Sequence, residues 1–100
     1  MFSYVSQAQD HVIGVGVALG VETNAVKIMK VFTNTPASKA GLLPGLLVQR
    51  IDGAATDGKH LKDWVEKLRG EVGSKVKLEL VDTAKGKTNT VELIRERISF

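Results

Sequence analysis

Residues 12–19 read VIGVGVAL, an apolar and β-branched run broken by glycine at positions 14 and 16. Glycine inside such a run weakens a plain strand and fits a place where the backbone bends or is closely approached. The run therefore predicts a glycine-relaxed loop, Gly14 to Val17, feeding a strand that stops at Gly20. Glu22, Thr23 and Asn24 follow as a turn, and Val26 and Ile28 then alternate with Lys27 in a second strand ending near Phe32. The two strands are expected to pair as a hairpin. The spacing Gly14, Gly16, Gly20 does not suit a nucleotide-binding loop, because such a loop must open a helix and here a strand follows.

Further along, TPASKAGL at residues 35–42 predicts a helix of one or two turns, with Pro36 where its missing N–H costs nothing and Gly41 placed to end it. Pro44 and Gly45 make a turn, and Leu46 to Ile51 is a buried strand closed by Asp52 and Gly53. A longer amphipathic helix starts between Asp57 and His60. It carries Leu61, Trp64, Val65 and Leu68 on one face, with Lys62, Asp63, Glu66, Lys67 and Arg69 mostly on the other, and Gly70 as its stop. Trp64 reads as core. Val76, Leu78 and Leu80 alternate with Lys75, Lys77 and Glu79 in a half-buried strand. After a turn at 84–87, Val91 and Leu93 carry a last strand to about Arg97, with Arg95, Glu96 and Arg97 as a solvated strand end. The order is β-β-α-β-α-β-β, without an internal repeat.

Composition bounds what these elements can build. The 100 residues are one domain's worth, 43% hydrophobic and 25% charged, which suits a compact globular core. The absence of cysteine excludes disulfides, thiolate nucleophiles and cysteine-ligated zinc. No apolar run approaches the roughly 20 residues of a membrane span, so no membrane insertion is expected, and Met1 to Asp10 lack a secretory pattern. The formal charge of +3 comes from Lys and Arg interleaved with Asp and Glu, which argues against nucleic acid as a partner.

Four stretches together, GVGV (14–17), TPASKAGL (35–42), PGLLVQRIDG (44–53) and LKDWVEKLRG (61–70) before GSKVKLEL, resemble a PDZ domain of the bacterial, circularly permuted type. The resemblance is strongest to the PDZ domains of C-terminal processing peptidases and HtrA-type serine proteases. Two residues depart from that pattern: Leu46 stands where an Asp is usual, and Trp64 where a small residue is usual. The resemblance implies an α+β fold, a small, partly open antiparallel barrel or sandwich of five to six strands capped by one short and one longer helix. It would span residues 12–98, after a loosely ordered lead-in at 1–11 and before a short end at 99–100. It also favours a cell-envelope or periplasmic parent, although the chain itself leaves the compartment open.

The same resemblance implies that Gly14, Val15, Gly16 and Val17 form a carboxylate-binding loop. Glycines there tolerate positive φ and let successive amides converge on an anion. Val15 and Val17 would line a pocket for the ligand's last side chain. The strand from Val17 through Ala18 and Leu19 would offer its edge to an extended peptide, with Leu61, Val65 and Leu68 as the opposite wall. With Leu61 where some animal PDZ domains have histidine, a hydrophobic ligand end is expected over Ser or Thr. No cofactor, metal or catalytic group is expected. His11 and His60 are the only histidines, and Ser38-Lys39, although peptidases of the resembled kind use such a pair, lies in the signature helix rather than in a catalytic domain. Asp10 and His11 occupy the region where animal PDZ domains often carry a basic residue that assists the carboxylate. The expected partner is the C-terminal or extended segment of another protein, bound by a free-standing module or by the substrate-selecting part of a protease. The ending Ile98-Ser99-Phe100 is a further candidate ligand, for the groove of a second copy, which would give weak self-association.

Overall fold

The computed structural model describes residues 11–99. Apart from His11, the expected lead-in lies outside them, as does Phe100. The elements are β1 (His11–Gly14), β2 (Val17–Glu22), β3 (Ala25–Val31), α1 (Pro36–Lys39), β4 (Leu47–Ile51), β5 (Ala54–Ala55), α2 (Leu61–Leu68), β6 (Lys75–Asp82), β7 (Lys87–Ile94) and β8 (Glu96–Ser99). A six-stranded antiparallel sheet runs β2-β3-β4-β6-β7, with the short β5 also on β4, and β1 pairs with β8 in a separate two-stranded sheet. The sheet carries two helices and does not close into a barrel.

This adds three strands to the order expected from the sequence. The run VIGVGVAL is divided: Gly14 ends β1, opposite Glu96, and Val17 begins β2, opposite Val31. The final strand divides in the same way at Arg95. Hydrophobic periodicity alone cannot reveal that VIGVGVAL changes sheets, because both halves stay apolar, and the charges at 95–97 give the second break no hydrophobic signal at all. Ile98, expected in a free tail, is opposite Val12 in β8 and only 4% exposed, so it is unavailable to a second copy.

The hairpin and both helices form where local chemistry puts them. Across β2 and β3 the register shifts between Ala18 and Leu19, which leaves Met29 as the extra residue. Leu19, Val26 and Ile28 face the core with Val48, Ile51, Val76, Leu78, Leu80 and Leu93. Thr35 caps α1, its Oγ1 accepting from Ser38 N–H at 3.2 Å and donating to the Phe32 carbonyl at 2.7 Å. Leu46, the departure from Asp, is half-buried against the core, so it contributes packing.

A short 3-10 turn, Gly58–His60, leads into α2. Asp57 caps it, with Oδ1 accepting from His60 N–H at 3.0 Å and lying 2.8 Å from His60 Nδ1. These bonds from His60 hold the Asp57 carboxyl below the usual carboxylate range. Trp64 is buried, with Nε1 donating to the Asp57 carbonyl at 3.0 Å, so its polar end is satisfied within the core.

Candidate functional site

Strand β2 has one neighbour, β3, so its other margin is unpaired among the described residues. Its hydrogen bonds fix what that margin presents. The Gly16 carbonyl accepts from Phe32 N–H at 2.9 Å, flanking the Val17–Val31 pair. In an antiparallel ladder that pattern marks a pair without mutual bonds, so the N–H and C=O of Val17 point to the free side. Ile28 donates to the Leu46 carbonyl at 2.9 Å and accepts from Gly45 N–H at 2.8 Å, both toward β4. Leu19, its partner across the hairpin, therefore also turns its N–H and C=O outward.

The loop before β2 is pinned from the opposite side. The Val15 carbonyl accepts from Ala37 N–H, the second residue of α1, at 2.9 Å. Across a trans peptide the following N–H points opposite to the carbonyl. Gly16 N–H is thus directed away from α1, and Val17 N–H away from β3. Two successive amides are left facing the side that α1 and β3 do not occupy. Gly16 holds this bend with φ +94, whereas Gly14 has no positive φ, so only one of the two expected glycines is used for left-handed backbone. The buried Thr35 side chain packs so tightly on Gly16 that a Cβ there would fall 2.2 Å from its Cβ.

Helix α2 flanks the same margin and runs opposite to β2. The 3-10 turn that leads into it is tied to the β2–β3 turn, where Gly58 N–H donates to the Asn24 carbonyl at 2.9 Å. The end of α2 lies over Gly14, where an added Cβ would sit 3.7 Å from the Leu68 carbonyl. Leu61 and Val65 are half-buried on the edge of the core, at helical spacing along one face. Leu68 is 5% exposed and Val15 2%, so these two, expected at the groove, pack beneath it; Leu19 is core by its side chain while its backbone faces out. Val17 and Ala18 are half-buried at the margin.

One residue of this region was not legible as such. Arg95, read from sequence as part of a solvated strand end, is 8% exposed. Its guanidinium donates to the carbonyls of Lys67 (2.8 Å), Leu68 (3.1 Å) and Lys75 (2.9 Å) and to Ser74 Oγ (3.0 Å). It therefore caps the C-terminus of α2, where a cation complements the helix dipole. Gly70, expected only as the helix stop, has a second role: a Cβ there would lie 2.9 Å from the Arg95 Nε.

No family model matches the chain. The carboxy-terminal-processing protease of Bartonella bacilliformis is 31% identical over 85 residues, covering 85% of this chain and 20% of that protein. The chain thus spans a small part of the curated relatives it matches. Among solved structures, the PDZ domain of the carboxy-terminal protease from Vibrio cholerae, in complex with peptide, superimposes with a TM-score of 0.81 at 25% identity, over 90% of this chain and 99% of that one. The HtrA-type protease AlgW with decapeptide shares the fold, with a TM-score of 0.66 at 19% identity, over 94% of this chain and 32% of that one.

Proposed function

This chain is a PDZ domain related to those of carboxy-terminal processing proteases, and from that premise we propose that it captures extended peptide C-termini by adding them to β2. The reading rests above all on the outward N–H groups of Gly16 and Val17, which stand at the head of an unpaired strand margin. A terminal carboxylate accepts from the Gly14–Val17 loop, and the ligand backbone exchanges bonds with Val17 and Leu19. The last ligand side chain enters beside Val17, Leu61 and Val65, over a floor that includes Val15 and Leu68. With Leu61 at the head of the helix, that pocket favours an aliphatic or aromatic side chain over Ser or Thr.

The expected affinity is modest. Backbone hydrogen bonds net about 0.5–1.5 kcal/mol each and a buried aliphatic side chain about 1.5–3 kcal/mol. Association and ordering oppose them by several kcal/mol, which leaves a dissociation constant on the order of micromolar. Titration with a peptide library, each member as free acid and as amide, tests the reading. Since a hydrogen bond to a charged group is worth about 1.5–3 kcal/mol, amidation is expected to weaken binding about tenfold to a hundredfold. Equal affinity for acid and amide, or no binding across a hydrophobic-ended set, would remove the proposal.

The relatives favour a particular setting. They are proteases several times the length of this chain, and this chain matches only their PDZ portion. We infer a substrate-recognition or regulatory role within a protease of that kind, with hydrolysis carried out by a separate catalytic domain. A reading frame that continues past Phe100 into a protease-like segment supports this; a stop codon there leaves a free-standing adaptor.

A further inference from the structure

Given capture of a peptide C-terminus by β2, on which any role for the residues flanking that strand rests, the ladder also fixes where the penultimate ligand residue must stand. The ligand bonds to the outward groups of Val17 and Leu19, so its residue between them lies opposite Ala18. Directly opposed residues of an antiparallel pair share a face. Val17 and Leu19 turn toward the core and α2, and Ala18 toward the other side of the sheet. On that side, Ala18 is flanked across the hairpin by Lys30. The penultimate side chain, Ala18 and Lys30 therefore form one row, with only a methyl group at its centre.

Distances allow the ends of that row to meet. Two strand spacings of about 4.8 Å separate the outer Cα positions, and an extended Lys and an extended Glu together span about that much. The Lys30 ammonium is also held toward the correct end of β2. It lies 5.0 Å over the Phe32 ring, and Phe32 N–H bonds to the Gly16 carbonyl at the loop. Its neighbour Lys27 is engaged by Glu22 at 2.6 Å, whereas Lys30 has no carboxylate within salt-bridge distance among the described residues. We propose that Lys30 selects ligands with an acidic residue immediately before a hydrophobic last residue. It does so from β3, across the methyl group of Ala18.

The test uses three peptides that end in the same hydrophobic residue and differ only in having Glu, Gln or Lys before it, titrated against the wild-type chain and Lys30→Glu. An exposed ion pair contributes a modest factor, so the wild type is expected to prefer Glu over Gln by about two- to fivefold at low salt. The order should be Glu, Gln, Lys in the wild type, and Lys30→Glu should reverse it. The preference should also shrink at about 1 M salt, where screening acts within a few ångströms. If all three peptides bind the wild type equally, or Lys30→Glu leaves their order unchanged, the role of Lys30 is overturned while strand addition stands. If none of the three binds, strand addition fails and the role of Lys30 with it.

Discussion

Arg95→Met is expected to lower the midpoint of thermal unfolding by roughly 10–20 °C, at about 4–8 °C per kcal/mol for a domain of this size. Met replaces most of the aliphatic volume, so the loss comes from hydrogen bonding. Three carbonyls, those of Lys67, Leu68 and Lys75, lose their side-chain donor. An acceptor left without a partner costs about 1–3 kcal/mol where it is buried, as at Leu68, and less at the part-buried carbonyls of Lys67 and Lys75. Part of this is offset, since no carboxylate lies within salt-bridge distance of Arg95 among the described residues and the variant no longer buries an unpaired charge. A net loss of about 2–3 kcal/mol is what remains. Arg95→Lys should fall between, because a single ammonium cannot serve acceptors spread over a guanidinium fork.

The same substitution should weaken peptide binding measured well below the unfolding midpoint. The last turn of α2 lies over Gly14, and Arg95 is what ends that turn in a fixed position. Without it the carbonyls of Lys67 and Leu68 seek water, the turn frays, and Leu68 leaves the floor beneath the loop. Circular dichroism melts and a free-acid peptide titration separate the two effects. A melting midpoint within about 2 °C of wild type would remove Arg95 as the structural cap of α2.

Arg95 also shows where sequence reading stops. In RER, residues 95–97, three successive charges look like a solvated end, and nothing local distinguishes the first. Its burial follows from two non-local facts: the chain changes sheets between β7 and β8, and the loop after α2 folds back so that Arg95 N–H donates to the Ser74 carbonyl and Gly73 N–H to that of Arg95. The pairing of β1 with β8 joins residues near the two ends of the chain and was hidden for the same reason. The elements that were legible are those with local causes: the β2–β3 hairpin, the Pro36 and Thr35 helix start, and the periodic face of α2. For the site, the resemblance to PDZ domains is what singled out residues 14–17 and the face of α2. The direction of the amides came only from the hydrogen-bond ladder, and only burial shows that the side chains of Val15 and Leu68 belong to the core.

Gly16→Ala tests the loop itself, and Gly14→Ala is its internal control. At position 16 an L-residue would have to adopt φ +94, outside the ordinary regions, at a cost of order 1–3 kcal/mol. Its Cβ would also meet Thr35 Cβ, Oγ1 and Cγ2 at 2.2, 2.2 and 2.6 Å. Thr35 cannot step aside cheaply, because it is 2% exposed and its hydroxyl bridges the Phe32 carbonyl and Ser38 N–H. Overpacking of this kind adds about 1–3 kcal/mol, so a total loss of roughly 2–6 kcal/mol is expected. The Gly16–Phe32 bond should be lost with it, and peptide affinity should fall below detection even where the variant stays folded. At position 14 the backbone is not left-handed, and a Cβ would find only the Leu68 carbonyl at 3.7 Å, an ordinary contact. Gly14→Ala should therefore hold its stability within about 0.5 kcal/mol, and reduced freedom of the unfolded chain could even raise it. Chemical denaturation of both variants decides the matter. Equal destabilisation would mean that the loop is held by general packing and that the bend at Gly16 is incidental, and with it the outward aim of the Gly16 and Val17 amides on which peptide capture depends.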